Sequence, residues 1–143
     1  LNAKSKRYIY RVATGDVPSV FDRRYTWYCF DRLDMGLMKE GAALMMGQHD
    51  FKGFSSVKKT NKSTVRTVSR IEFDVKDREI DLIFEGNGFL YNMVRIIAGT
   101  LLLVGAGKLE PEDVGRILAA KDRGAAGPTA PAHGLTMIGI TYL

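Results

Sequence analysis

Residues Met93–Ala106 contain one charged side chain, Arg95, in a stretch that is otherwise apolar or small. Met93, Ile96, Ile97, Thr100, Leu101 and Val104 recur at the spacing of one helical face. Val94, Ala98, Leu102 and Leu103 make the opposite face apolar as well, so the pattern predicts a helix buried nearly all round. Such a helix has to sit at the centre of whatever the chain folds into. A guanidinium does not give up its proton at neutral pH, and leaving it buried and unpaired would cost several kcal/mol. Arg95 therefore calls for a carboxylate or a phosphate beside it. The pattern leaves two readings open: a structural ion pair in the core, or an arginine facing a cleft that holds a catalytic carboxylate or a nucleic-acid phosphate.

The 143 residues, 45% of them hydrophobic and 26% charged, suffice for one domain with its own core. A net charge of +5 favours an anionic partner. Cys29 is the only cysteine, which excludes an internal disulfide and fits a reducing, cytoplasmic setting. No apolar run reaches membrane-spanning length, and the first residues do not resemble a signal peptide. The chain opens on Leu1 rather than Met, and its first residues already read as a strand, so the expectation is a piece of a longer protein.

Alternation predicts a strand over Lys6–Val12 and a second, short one over Tyr25–Phe30, with a Gly- and Pro-containing loop from Ala13 to Val20 between them. Asp34 is placed to cap a helix carrying Leu37, Met38, Ala42 and Met45, with Gly47 to end it. Over Ser63–Asp74, strict alternation would put Val65, Thr67, Ser69, Ile71 and Phe73 on one side, and Arg66, Arg70, Glu72 and Asp74 on the other. Glu79–Glu85 repeats the pattern, making a hairpin that turns at Asp77-Arg78. After the central helix come a more exposed one at Pro111–Ala120, a Gly/Ala/Pro-rich loop at Gly124–Gly134 and a closing strand at Met137–Leu143. The fold class expected is α+β: a mainly antiparallel sheet packed with two to three helices, in a single domain spanning residues 1–143.

Chemistry-bearing residues are few. His49 and His133 are far apart and Cys29 has no second thiol, so neither a metal site nor a Cys–His or Ser–His–Asp nucleophile is expected. His49 beside Asp50 reads as a polar contact at a helix end, and Gly86-Asn87-Gly88 alone is too short to be a phosphate-binding fingerprint. Lys52, Lys58, Lys59, Lys62, Arg66 and Arg70 occur with no acid between Asp50 and Glu72. Lys4, Lys6, Arg7 and Arg11 are interleaved with Tyr8 and Tyr10. Basic side chains with aromatic faces suit single-stranded RNA, while lysines guarding a solvated strand face give the same composition.

Four segments, KRYIYRV, GQHDFKGFSS, GNGFLYNMVRIIAGTLLLVGAGK and AAKDRGAAGPTAPAHGL, occur in the order and at the approximate spacing of the tRNA pseudouridine synthase A family, whose C-terminal catalytic half the chain resembles throughout. The resemblance implies conversion of uridines in the tRNA anticodon arm, positions 38 to 40, to pseudouridine by a cytoplasmic homodimer without cofactor or metal. It also implies residue roles. Tyr8 corresponds to the tyrosine that stacks on the target base, Arg95 to the arginine that salt-bridges the catalytic aspartate, and Leu135 to the apolar residue beside the base. The basic run, Lys58, Lys59, Lys62, Arg66 and Arg70, would then meet tRNA phosphates. The family's nucleophile is an aspartate in an R-T-D-x-G-V-H type segment of its N-terminal half, and no aspartate of this chain has that setting: Asp50 reads H-D-F and Asp122 reads K-D-R-G. The chain by itself is therefore expected to be inactive, its partner being the missing N-terminal half. The alternative is a non-catalytic RNA-binding module. A metabolic enzyme without nucleic acid fits neither the basic run nor the absence of any other constellation.

Overall fold

The computed structural model describes residues 3–15, 27–29 and 32–142. Among these, strand β1 runs over Ala3–Ala13, β2 over Trp27–Tyr28, helix α1 over Met35–Ala43 and β3 over Gly47–Asp50. Strands β4 (Val65–Lys76) and β5 (Glu79–Gly86) form the hairpin, with Asp77-Arg78 at the turn. Helices α2 (Met93–Gly105) and α3 (Pro111–Ala120) precede β6 (Leu135–Tyr142). The sheet order is β2-β1-β5-β4-β3, with β6 pairing the first part of β1. Every pairing is antiparallel except the two-residue one between β1 and β2. The α+β class expected from the alternating patterns is the one observed.

One face of the sheet is apolar. Tyr10 and Val12 of β1 align with Leu82 and Ile80 of β5, and Phe73 of β4 lies on the far side of Leu82. Against this face sits α2, of which every residue but Arg95 and Leu103 is buried. Each buried Ile or Leu there contributes roughly 1.5–3 kcal/mol relative to exposure. Helix α3 buries only Pro111, Val114 and Ile117, the stripe of an amphipathic surface helix. None of the described helices is long and apolar enough to cross a membrane.

Three details depart from the pattern reading. Asp34 does cap α1, its Oδ1 accepting from the Leu37 N–H at 3.1 Å, but the helix ends at Ala43, and Gly47 instead opens β3 with φ of +91°. Strand β3 has only four residues, too short for alternation to reveal. In β4, pairing slips between Val68 and Arg70, where Ser69 is bulged out and its Oγ donates to the Glu85 carbonyl at 3.2 Å. The extra residue reverses the alternation, so buried Val68 precedes the bulge on the face that Ile71 and Phe73 take after it. Arg66 therefore shares the face of Val68, and Arg70 points the other way. Of the two early segments, Asp16–Val20 of the loop and residues 25–26 and 30 of the short strand lie outside the described residues.

The loop Gly127–Ala130 lies directly on the α2 backbone. A Cβ at Gly99 would stand 1.9 Å from the Pro128 carbonyl oxygen, and one at Gly127 would stand 2.9 Å from Thr100 Cα. The Thr100 hydroxyl accepts from the Gly127 N–H at 3.0 Å and donates to the Ile96 carbonyl at 2.8 Å. Gly99→Ala should consequently lower stability by about 1–3 kcal/mol by forcing the loop away. Gly115→Ala, in α3 where a Cβ meets nothing within 4 Å, should raise stability by about 0.5–1 kcal/mol. Urea unfolding of the two variants checks this; equal effects would show that loop and helix are not in such close contact.

Candidate active site

The end of β5 and the start of α2 are joined by Asn87–Asn92, and this short connection builds a pocket. Gly86 lets the chain leave β5 closely, since a Cβ there would stand 2.7 Å from the Thr67 carbonyl oxygen. Asn92 then adopts the left-handed conformation, φ 61° and ψ 10°, immediately before the helix, and its carbonyl accepts from the Ile96 N–H at 2.9 Å. That places Arg95 in the first turn of α2 rather than in its buried middle, with its side chain only half-buried.

The guanidinium is held by two neutral acceptors. Nε donates to the Ala130 carbonyl at 2.7 Å and Nη1 donates to Asn92 Oδ1 at 2.9 Å. Among the described residues no carboxylate comes within ion-pair distance of it. Of the two readings the pattern leaves open, the core ion pair finds no carboxylate for Arg95 among the described residues. The Ala130 N–H donates back to the Arg95 carbonyl at 3.1 Å, so loop and helix turn clasp each other. The loop is itself tied down: Arg123 Nη1 donates to the Gly127 carbonyl at 2.8 Å and Nη2 to Thr129 Oγ1 at 3.1 Å.

Arg95 forms part of the wall of a pocket of about 210 Å³ whose other lining includes Tyr8, Phe89, Tyr91, Asn92 and Leu135. Of the site residues expected from the sequence and its family resemblance, Tyr8, Arg95 and Leu135 line this one cavity, and Lys58, Lys59, Lys62, Arg66 and Arg70 do not. Tyr8 comes from β1, on the helix side of the sheet with Tyr10, and packs edge-on against Phe89 with ring centroids 5.3 Å apart. Leu135 opens β6 opposite Tyr10. It follows a turn that needs glycine, because a Cβ at Gly134 would stand 2.6 Å from the Tyr10 ring, whose hydroxyl donates to the Pro131 carbonyl at 2.8 Å. Burial raises the Tyr8 phenol above its ordinary value of 10.0, so it stays protonated at neutral pH. An aromatic ring, an apolar wall and a cation with unused N–H donors suit a flat, uncharged ring with an anionic group beside it.

The basic run is divided by the fold. Lys58, Lys59 and Lys62 stand exposed on the loop between Phe54 and Val65, not on a strand. That loop starts at the pocket rim, where the Ser56 N–H donates to the Tyr91 carbonyl at 2.9 Å and Asn92 Nδ2 donates to Ser56 Oγ at 3.1 Å. Arg66 Nη1 braces the loop's end by donating to the Ser63 and Val65 carbonyls, at 2.9 and 2.8 Å. Arg70 is paired to Glu72 on its own strand at 2.7 Å. The cluster on β1 is split too: Lys4 lies where the pairing with β6 slips between Ala3 and Ser5, while alternation sends Lys6 to the side of Tyr8 and sends Arg7 and Arg11 to the other. Arg11 there donates from Nη1 to Thr136 Oγ1 at 3.1 Å. His49 lies in β3, its Nε2 2.8 Å from the Met46 carbonyl just beyond α1.

Sequence reasoning did not single out Phe89, Tyr91, Asn92 or the Ala130 carbonyl. An asparagine just before a strongly periodic helix was a visible signal, although as a cap rather than as a ligand for Arg95.

The structure is thus an open, mainly antiparallel α+β sheet with a pocket lined by aromatic residues and one arginine, and comparison with known sequences supplies the family. The family profile described as tRNA pseudouridine synthase matches residues 42–142. The chain is 45% identical over 141 residues to tRNA pseudouridine synthase A of Bacillus licheniformis, covering 99% of this chain and 57% of that protein. It is 47% identical over 134 residues to tRNA pseudouridine synthase A of Halalkalibacterium halodurans, covering 94% and 51%, and 43% identical over 141 residues to that of Bacillus subtilis, covering 99% and 57%. The chain belongs to the tRNA pseudouridine synthase family. It spans about half the length of the curated relatives it matches.

Because the Tyr8 phenol is raised by burial, subtracting the titration of a Tyr8→Phe variant from that of the parent should leave a phenolate transition whose midpoint lies above 10.0. Amplitude lost near neutral pH would mean that this hydroxyl ionises readily.

Proposed function

We propose that this chain, residues 1–143 as a single domain, is the C-terminal part of a cytoplasmic, homodimeric tRNA pseudouridine synthase of the A type. The whole protein isomerises uridine to pseudouridine at positions 38 to 40 of the tRNA anticodon stem-loop. The observation that carries this reading is Arg95 in the pocket with Tyr8 and Leu135, satisfied by two neutral acceptors and without a carboxylate of its own among the described residues.

Pseudouridine is an isomer of uridine, so no cofactor has to supply atoms or electrons. The bond from the ribose carbon to the base nitrogen breaks, the base turns, and the same ribose carbon bonds to a base carbon, which gives up its proton while the freed nitrogen gains one. A carboxylate acts as nucleophile and has to be ionised at neutral pH. In this reading the carboxylate is the aspartate of the N-terminal half. Arg95 lowers its pKa and fixes its orientation through a forked pair. The target base leaves its stack and is received by the Tyr8 ring against Leu135. A phenol held protonated suits stacking better than taking a proton from the base carbon.

The lysines Lys58, Lys59 and Lys62 take tRNA phosphates next to the pocket. Arg66 and Arg70 complete the basic run but already have partners, so their share is smaller.

The 143-residue chain alone should form no pseudouridine on tRNA, whereas the full-length protein should. Arg95→Lys in the full-length protein should lower kcat about 100-fold, since lysine keeps the charge but not the fork. Turnover by the isolated chain would overturn the reading, and a full-length protein that binds tRNA without converting uridine would make this an RNA-binding module.

Phosphate contact has its own signature. Replacing Lys58, Lys59 and Lys62 together should reduce the log–log salt dependence of tRNA affinity by about one unit for each lost contact, with a smaller change for Arg70→Gln. Binding titrations at several salt concentrations check this; an unchanged slope would leave those lysines merely solvated.

A further inference from the structure

Asn92 does two things that no single substitute preserves. Its backbone holds the left-handed conformation that starts α2, which asparagine tolerates and glycine adopts freely. Its side-chain amide, between two elements, accepts from Arg95 Nη1 at 2.9 Å through Oδ1 and donates through Nδ2 to Ser56 Oγ at 3.1 Å. Were the turn the only requirement, glycine would serve it without strain.

A guanidinium carries five N–H donors. One is taken by the Ala130 carbonyl and one by Asn92, which fixes the plane of the fork and leaves three donors and the full charge uncommitted. Both acceptors are neutral. A carboxylate in place of the Asn92 amide would orient Arg95 equally well but would also neutralise it. On its other side the amide grips Ser56, at the root of the loop that carries Lys58, Lys59 and Lys62.

We propose that Asn92 is a positioning residue for catalysis: it pre-orients Arg95 for an incoming carboxylate without consuming its charge, and it ties that orientation to the basic loop through Ser56. The inference rests on Arg95 meeting a carboxylate in the whole enzyme, as argued above. Asn92 itself touches no reacting atom.

The test uses the full-length protein and kinetics on tRNA, with Asn92→Gly, Asn92→Asp and Arg95→Gln measured side by side. Asn92→Gly keeps the backbone turn but gives up both side-chain hydrogen bonds, so its Tm should fall by no more than a few degrees, while kcat falls about tenfold and KM for tRNA stays unchanged. Asn92→Asp keeps an acceptor toward Arg95 but brings its own charge, so it should also be slow and should not rescue. An Asn92→Gly variant with parental kcat would overturn the inference, as would a kcat loss accompanied by unfolding at the assay temperature or by full rescue in Asn92→Asp. Arg95→Gln separates the two levels: if it too retains parental kcat, the role given to Arg95 has failed, whereas its inactivity beside an active Asn92→Gly sinks the Asn92 role alone.

Discussion

A guanidinium held by one carbonyl and one amide, with no acid near it among the described residues, is the interaction around which this part of the protein is organised. Hydrogen bonds satisfy the donors and fix the geometry, but they leave the positive charge in place. That is tolerable only because Arg95 stands in the first turn of α2, half-buried at a pocket mouth, instead of inside the core where desolvation would cost several kcal/mol. The left-handed turn at Asn92 decides this, since it sets where the helix begins.

Two elements distant in sequence are needed to keep the arginine there. The Gly127–Ala130 loop presses on α2 so closely that neither Gly99 nor Gly127 can carry a side chain undisturbed, and this contact delivers the Ala130 carbonyl to Nε. Arg123 fastens the same loop from the other end. The sheet then brings Tyr8 and Leu135 to the same cavity through the pairing of β1 with β6. Core and site are therefore coupled: the packing that buries α2 also shapes the pocket, so damage to the loop is expected to appear as lost geometry at Arg95.

Charge is partitioned with equal economy. Among the basic residues noted in the sequence, Arg70 is engaged with Glu72, and Arg66 is spent on carbonyls of its own loop. Lys58, Lys59 and Lys62 stand exposed on the segment rooted at the pocket rim through Ser56. Under the proposed function these lysines take phosphates beside the pocket, so that docking and chemistry share one frame.

The amino-acid sequence alone determined the elements whose patterns are long and one-sided. The apolar run of α2, the alternation of β1 and β5, the Asp34 cap and the Asp77-Arg78 hairpin turn are local statements about burial and turn chemistry, and these are where the structure agrees with them. The resemblance of its four segments to a known family likewise brought Tyr8, Arg95 and Leu135 forward before any geometry was available. What only the tertiary structure decided is how distant groups meet. The bulge at Ser69 reversed the alternation and put Arg66 and Arg70 on opposite faces, because pairing with β5 overrides the strand's own period. The four-residue β3 exists only through its partner β4. The acceptors of Arg95 are an amide in a left-handed turn and a carbonyl 35 residues away, and neither leaves a mark in composition or spacing, since a backbone oxygen is the same in every residue and its position is set by packing.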